Sequence, residues 1–202
     1  ALENAIESRK TQGQTGIADP TGRVFRLRAN GALDRLADNV PSPNGITLST
    51  TEKHCYVGVT RSNSVWRLPI MADGNVSKTG VAIQLSGGAA GPDGIEMDAE
   101  NGLLVCHLGV GIWRFDANML PTHLVHSDGP HHHHLDNVAF GGPDLKTIYI
   151  TEALSGDILM AKMPVAGEAA PQAEVDDVAW LSADEARQLL TWERDRAVLD
   201  AL

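Results

Sequence analysis

Three segments of the chain lie over one another without a gap: PNGITLS at 43–49, PDGIEMD at 92–98 and LDNVAFG at 135–141. Each begins with a turn-like polar start and passes into apolar and polar alternation, the pattern of a half-buried strand. The stretch after each copy repeats as well. HCYVGVTRSNSVWRLPI, GLLVCHLGVGIWRFDA and TIYITEALSGDILMAKM each hold two β-rich runs around a turn. A period of roughly 40 to 50 residues with about four strands is that of a propeller blade. A blade cannot bury its apolar faces alone, so the repeat commits the chain to sheets stacked side by side.

Period-2 alternation marks strands over 46–49, 56–60, 65–70 and 81–86. Turn signals separate such runs at Ala72-Asp73-Gly74-Asn75, Glu100-Asn101-Gly102, Gly141-Gly142-Pro143-Asp144 and Ser155-Gly156-Asp157. Ahead of the first full copy, GRVFRLRANGALDRLADNV at 22–40 reads as the outer two strands of another blade. The expected fold is all-β: about three and a half blades of a propeller, with a short α-helical tail. Residues 1–11 form a non-repeat segment, 12–167 the blades, and 168–202 a linker and the tail. In the tail, Ser182 and Glu185 make a capping box and Leu189, Leu190, Val198, Leu199 and Leu202 an apolar stripe. Open blade faces call for cover, and a second copy of the chain is one candidate.

The formal net charge of −10 argues against a nucleic-acid groove, which needs a basic stripe. No apolar run reaches the roughly 20 residues of a membrane span, and ALENAIESRK lacks a signal peptide's apolar centre. No nucleic-acid or membrane partner is expected. Cys55 and Cys106 lie inside strand-like runs, which fits buried, reduced thiols in a cytoplasmic protein. There is no G-x-S-x-G elbow, C-x-x-C pair or phosphate loop.

Chemistry enters through one column of the repeat. Asn44, Asp93 and Asp136 align, and the innermost strands of a propeller start near its axis, so one column converges on one place. The same residues also read as turn punctuation before a strand. As ligands they offer hard oxygens suited to Ca²⁺, Mg²⁺ or Mn²⁺. Asp93 is then the catalytic base: a carboxylate can hold an ion through one oxygen and accept a proton through the other. Of the run His131-His132-His133-His134, adjacent imidazoles on an extended segment point alternately, which disfavours a shared zinc. His134 directly precedes the third copy and is a candidate to face substrate.

QGQTGIADPTGRVFRL, SPNGITLS, VTRSNSVWRLPI, IQLSGG, GPDGIEMD, NVAFGGPDLKTIYITEA and SGDIL together resemble the senescence-marker-protein, gluconolactonase and luciferin-regenerating-enzyme family over residues 12 to about 167. The resemblance implies a six-bladed-type propeller. It also implies one divalent cation in a central cavity, Ca²⁺ first with Mg²⁺, Mn²⁺ or Zn²⁺ as alternatives, and hydrolysis of small lactones or esters. The family's PNG asparagine falls on Asn44 and its PDG aspartate on Asp93, both metal ligands in that family. The third column, commonly Thr or Ser there, is Asp136 here. The family's further ligands come from blades upstream of the first residue of this sequence. The alternative is a non-catalytic partial propeller acting as a self-associating or binding module. EVDDVAWLSADEARQLLTWERDRAVLDAL resembles the end of a Nudix hydrolase, but the box carrying that family's metal-binding glutamates is absent from the sequence, so no Nudix activity is carried over.

Overall fold

The computed structural model describes residues 20–127 and 134–168. These belong to the first of two units into which the chain divides, Ala1–Ala169; the second, Ala170–Leu202, lies outside the described residues. The expected segment 1–11, His131 to His133, the helical tail and its Nudix-like match therefore lie outside them too.

Among the described residues thirteen strands form four antiparallel sheets. A two-stranded sheet pairs β1 (Gly22–Leu27) with β2 (Leu33–Val40). The first full blade runs β3 (Pro43–Leu48), β4 (His54–Val59), β5 (Ser64–Pro69), β6 (Gly80–Gln84). The second runs β7 (Pro92–Met97), β8 (Leu103–His107), β9 (Gly111–Phe115), β10 (Pro121–Val125). The third holds β11 (Leu135–Gly141), β12 (Thr147–Glu152) and β13 (Ile158–Lys162). This is the all-β, partial propeller architecture that the repeat predicts. Among the described residues no helix is long and apolar enough to cross a membrane.

Among the described residues the third sheet holds three strands. After β13 the chain returns toward the second blade, where Ala99 N–H donates to the Ala166 carbonyl at 3.0 Å and Gly167 bridges to Asp98. Met163-Pro164-Val165-Ala166-Gly167 has no strand-length alternation, and its proline lacks a ladder donor.

Alternation along the strands places the core between sheets. Val24, Val40, Cys55, Val57, Val59 and Leu68 pack between the two-stranded sheet and the first blade. Tyr56, Val65, Ile83, Ile95, Met97 and Val105 join the first and second. Leu104, Cys106, Ile112, Val138, Ile148 and Ile150 join the second and third. Tyr56 and Val57 of one strand thus serve two different interfaces, the period-2 rule at work. Trp113 packs at the junction of the first and second blades and Trp66 at that of the two-stranded sheet and the first. Polar straps supplement this packing. Thr50 donates from its N–H and hydroxyl to Asn101 Oδ1 at 3.1 and 2.7 Å, tying the first blade to the second. Within the second blade, fully buried Asp98 accepts from Arg114 Nε at 2.8 Å and Gly102 N–H at 2.7 Å.

The inner strands β3, β7 and β11 run side by side, closely enough to require glycine. A Cβ on Gly45 would lie 2.5 Å from the Asp93 carbonyl oxygen and 2.6 Å from Ile95 N. A Cβ on Gly94 would lie 2.3 Å from Asn137 Oδ1. The glycines of PNG and PDG are where one blade's backbone meets the next.

Candidate functional site

Each inner strand begins with a β-bulge at the same address. Pairing jumps from Pro43–Val59 to Ile46–Val57, from Pro92–His107 to Ile95–Val105, and from Leu135–Glu152 to Asn137–Thr151. In every case the inner strand carries one residue more than its partner. Asn44, Asp93 and Asp136 occupy those irregular stretches. A bulge turns a side chain off the alternating register, and here all three half-buried polar side chains stand at the same end of adjacent inner strands.

Their mutual influence is direct. Asp93 is raised above the usual carboxylate range, first by burial and then by the charge of Asp136, while the Asn44 amide beside it acts in the opposite sense. Thr60 sets the orientation of Asn44. Its hydroxyl donates to the Pro92 carbonyl at 2.7 Å and can therefore only accept from Asn44 Nδ2, at 3.4 Å. The amide oxygen of Asn44 is thereby the atom available to a ligand. Thr151 donates to one carboxylate oxygen of Asp136 at 2.8 Å.

Cys106 sits behind this group on β8. Burial, then the charges of Asp93 and Asp136, push its thiol strongly up, so it stays protonated and unreactive. His134 is half-buried at the mouth of the third blade, and its backbone N–H donates to Glu152 Oε1 at 3.0 Å. His107 is fully buried. Its Nδ1 accepts from Trp113 Nε1 at 3.3 Å, so its Nε2–H faces the Gly87 carbonyl at 3.2 Å, a satisfied structural histidine.

Thr60 and Glu152 are absent from the residues that sequence reasoning singles out. Glu152 is 1% exposed and accepts N–H groups from His134, Leu154 and Ser155, which hold its carboxyl down to about 2, the Ser155 N–H contributing most. The signal for it was a second repeat column. Val59, His107 and Glu152 pair with the first residue of their respective inner strands, so a carboxylate in that column faces the same rim.

Among the described residues no three His, Cys, Asp or Glu side chains cluster as a metal site. The candidate set is instead two carboxylates and one amide. Its chemistry fits a hard divalent cation, which would relieve the repulsion between Asp93 and Asp136 and take part of its shell from them.

Comparison with known proteins identifies the family. The chain is 29% identical over 163 residues to pentonolactonase XacC of Haloferax volcanii, covering 68% of this chain and 52% of that protein. It is 26% identical over 172 residues to a 6-deoxy-6-sulfogluconolactonase of Pseudomonas putida, covering 74% and 56%. The chain thus spans about half the length of the curated relatives it matches. Among solved structures, regucalcin, a calcium-binding protein of Agrobacterium tumefaciens, superposes with a TM-score of 0.64 at 24% identity, over 75% of this chain and 56% of that one. A luciferin-regenerating enzyme superposes at 0.61 and 21%, over 74% and 54%. Those two likenesses carry the fold. Residues 6–154 match the family model described as the SMP-30/Gluconolactonase/LRE-like region, and with most of the chain so matched, this chain belongs to that family.

Proposed function

We propose that the chain is a divalent-cation-dependent hydrolase of small lactones or esters. The observation that carries this reading is the set of three bulges, which deliver Asn44, Asp93 and Asp136 to one end of adjacent inner strands. Asn44 Oδ1 and the carboxylates of Asp93 and Asp136 are the protein atoms that would hold the cation, with Ca²⁺ the first choice for an all-oxygen set. When bound, such an ion supplies Lewis-acid polarisation of the ring carbonyl.

The rest falls to the chain's own groups. Asp93 accepts the proton of the attacking water; its raised pKa makes it a better acceptor than an exposed aspartate. Asn44 cannot take a proton and serves to orient, itself held by Thr60. His134 stands at the rim, where it contacts substrate, and Glu152 fixes its backbone. The buried, free thiols of Cys55 and Cys106 support a reducing, cytoplasmic location.

The test is acid release from an aldonolactone with Ca²⁺ added and then chelated. The native chain is expected to lose turnover with the metal. Asp93→Asn should keep the fold and lower kcat by at least about a hundredfold, at the lower bound for loss of a general base. Undiminished hydrolysis by that variant removes Asp93 from the mechanism. A second reading, a self-associating or binding module, is favoured by the apolar side chains of Leu154, Ile158 and Met160, 73%, 71% and 68% exposed on the third blade.

A further inference from the structure

We propose that Arg61 selects ligands bearing an anionic group, a phosphate, sulfonate or second carboxylate, remote from the lactone ring. Arg61 lies in the 3-10 turn Thr60–Ser62 that joins β4 to β5, next to the residue that orients Asn44. The turn is pinned on several sides. Arg61 N–H donates to the Pro41 carbonyl at 3.3 Å, and Asn63, in a left-handed conformation at φ 49°, donates from Nδ2 to the Gly87 carbonyl at 3.1 Å. Gly91 approaches so closely that a Cβ there would lie 2.0 Å from the Thr60 carbonyl oxygen. The turn and the start of β7 therefore form one rigid rim, and Arg61 is exposed on it.

Its lack of a partner among the described residues is the second observation. Among the described residues Arg23, Arg26, Arg28, Arg35 and Arg114 each pair with a carboxylate, and Arg67 bonds to Tyr56. Arg61 has neither kind of partner. Asp93 feels burial, the charge of Asp136 and the Asn44 amide, and no cation acts on it. A chain of net charge −10 with two carboxylates at this end repels anions unless something offsets them. An unpaired guanidinium on a fixed base does so, through a planar fork of donors matched to an oxyanion.

The inference deepens the hydrolase reading, and it uses turnover for one measurement and binding for another. Calorimetric titration in Ca²⁺-containing buffer compares gluconate 6-phosphate, gluconate 6-sulfonate and glucarate with neutral-ended gluconate, on the native chain, Arg61→Gln and Arg61→Lys. Expected is a preference for one or more of the anionic-ended probes of about tenfold or more, the scale of a charged hydrogen bond. The preference should vanish in Arg61→Gln, survive in part in Arg61→Lys and shrink with added salt. The ratio of kcat/KM for glucono-lactone 6-phosphate to that for glucono-lactone should fall in parallel where phosphate is the preferred anion. Equal binding of all probes by the native chain, or a preference that persists in Arg61→Gln, overturns the assignment. Absence of turnover with the binding preference intact would sink the hydrolase reading alone.

Discussion

At the scale of single residues, the rim of the third blade depends on one buried carboxylate. Glu152 has no cation partner among the described residues; backbone N–H groups satisfy it, and they hold its carboxyl at about 2. A carboxyl depressed in the folded state adds stability that is complete above its ordinary value near 4.5 and lost as pH falls toward about 2. Glu152→Gln keeps the shape and one acceptor oxygen but gives up the charge. Thermal melts should therefore show the variant less stable than the native chain at neutral pH, with the gap closing through that acidic window. A gap that stays constant from neutral to strongly acidic pH would mean that shape, and not ionisation, is what position 152 supplies. Because His134 hangs from the same carboxylate, the variant should also weaken substrate affinity before it lowers kcat.

At the scale of elements, the blade junctions are set by glycine. The Cβ of an alanine at position 45 would meet backbone atoms of Asp93 and Ile95, which cannot swing aside as a side chain could. Gly45→Ala should force β3 and β7 apart and cost about 3 kcal/mol, the upper end for overpacking. It should also abolish turnover by separating Asn44 from Asp93; urea unfolding and lactone hydrolysis read the two effects. A neutral result would mean that the strands lie farther apart than the geometry implies. The glycines were legible in PNG and PDG, yet their reason was not, since it lies in the neighbouring strand's backbone. The bulges were hidden for the same cause: an extra residue is defined only against a partner's register. That Asn44, Asp93 and Asp136 share one address was legible because one repeat column maps to one place. Thr60 escaped notice because its hydroxyl matters only through the Pro92 carbonyl, 32 positions away. Among the described residues the third blade holds three strands, and the segment after β13 finds its partners in Ala99 and Leu145, which a repeat read along one chain does not reveal.

At the scale of the whole molecule, the question is what the exposed apolar side chains of the third blade, Ile158 and Met160, do in solution. Register puts Ala139, Tyr149 and Met160 in one row and Asn137, Thr151 and Ile158 in the next, on the side opposite the core residues Val138, Ile150 and Leu159. Three strands spaced about 4.8 Å apart and some five residues long present roughly 250 Å², against about 800 Å² per partner in a stable interface. The area is too small for an obligate dimer and large enough for weak self-association through its apolar rows. Sedimentation of the native chain should accordingly show an average mass that rises with concentration above the micromolar range and falls back to the monomer on dilution. Met160→Lys and Ile158→Lys place like charges in the centre of that face and should hold the chain monomeric throughout, with thermal stability unchanged because both side chains are already in water. A native chain whose mass does not change with concentration, or lysine variants that associate as the native chain does, would exclude this face as the contact and with it the self-associating reading.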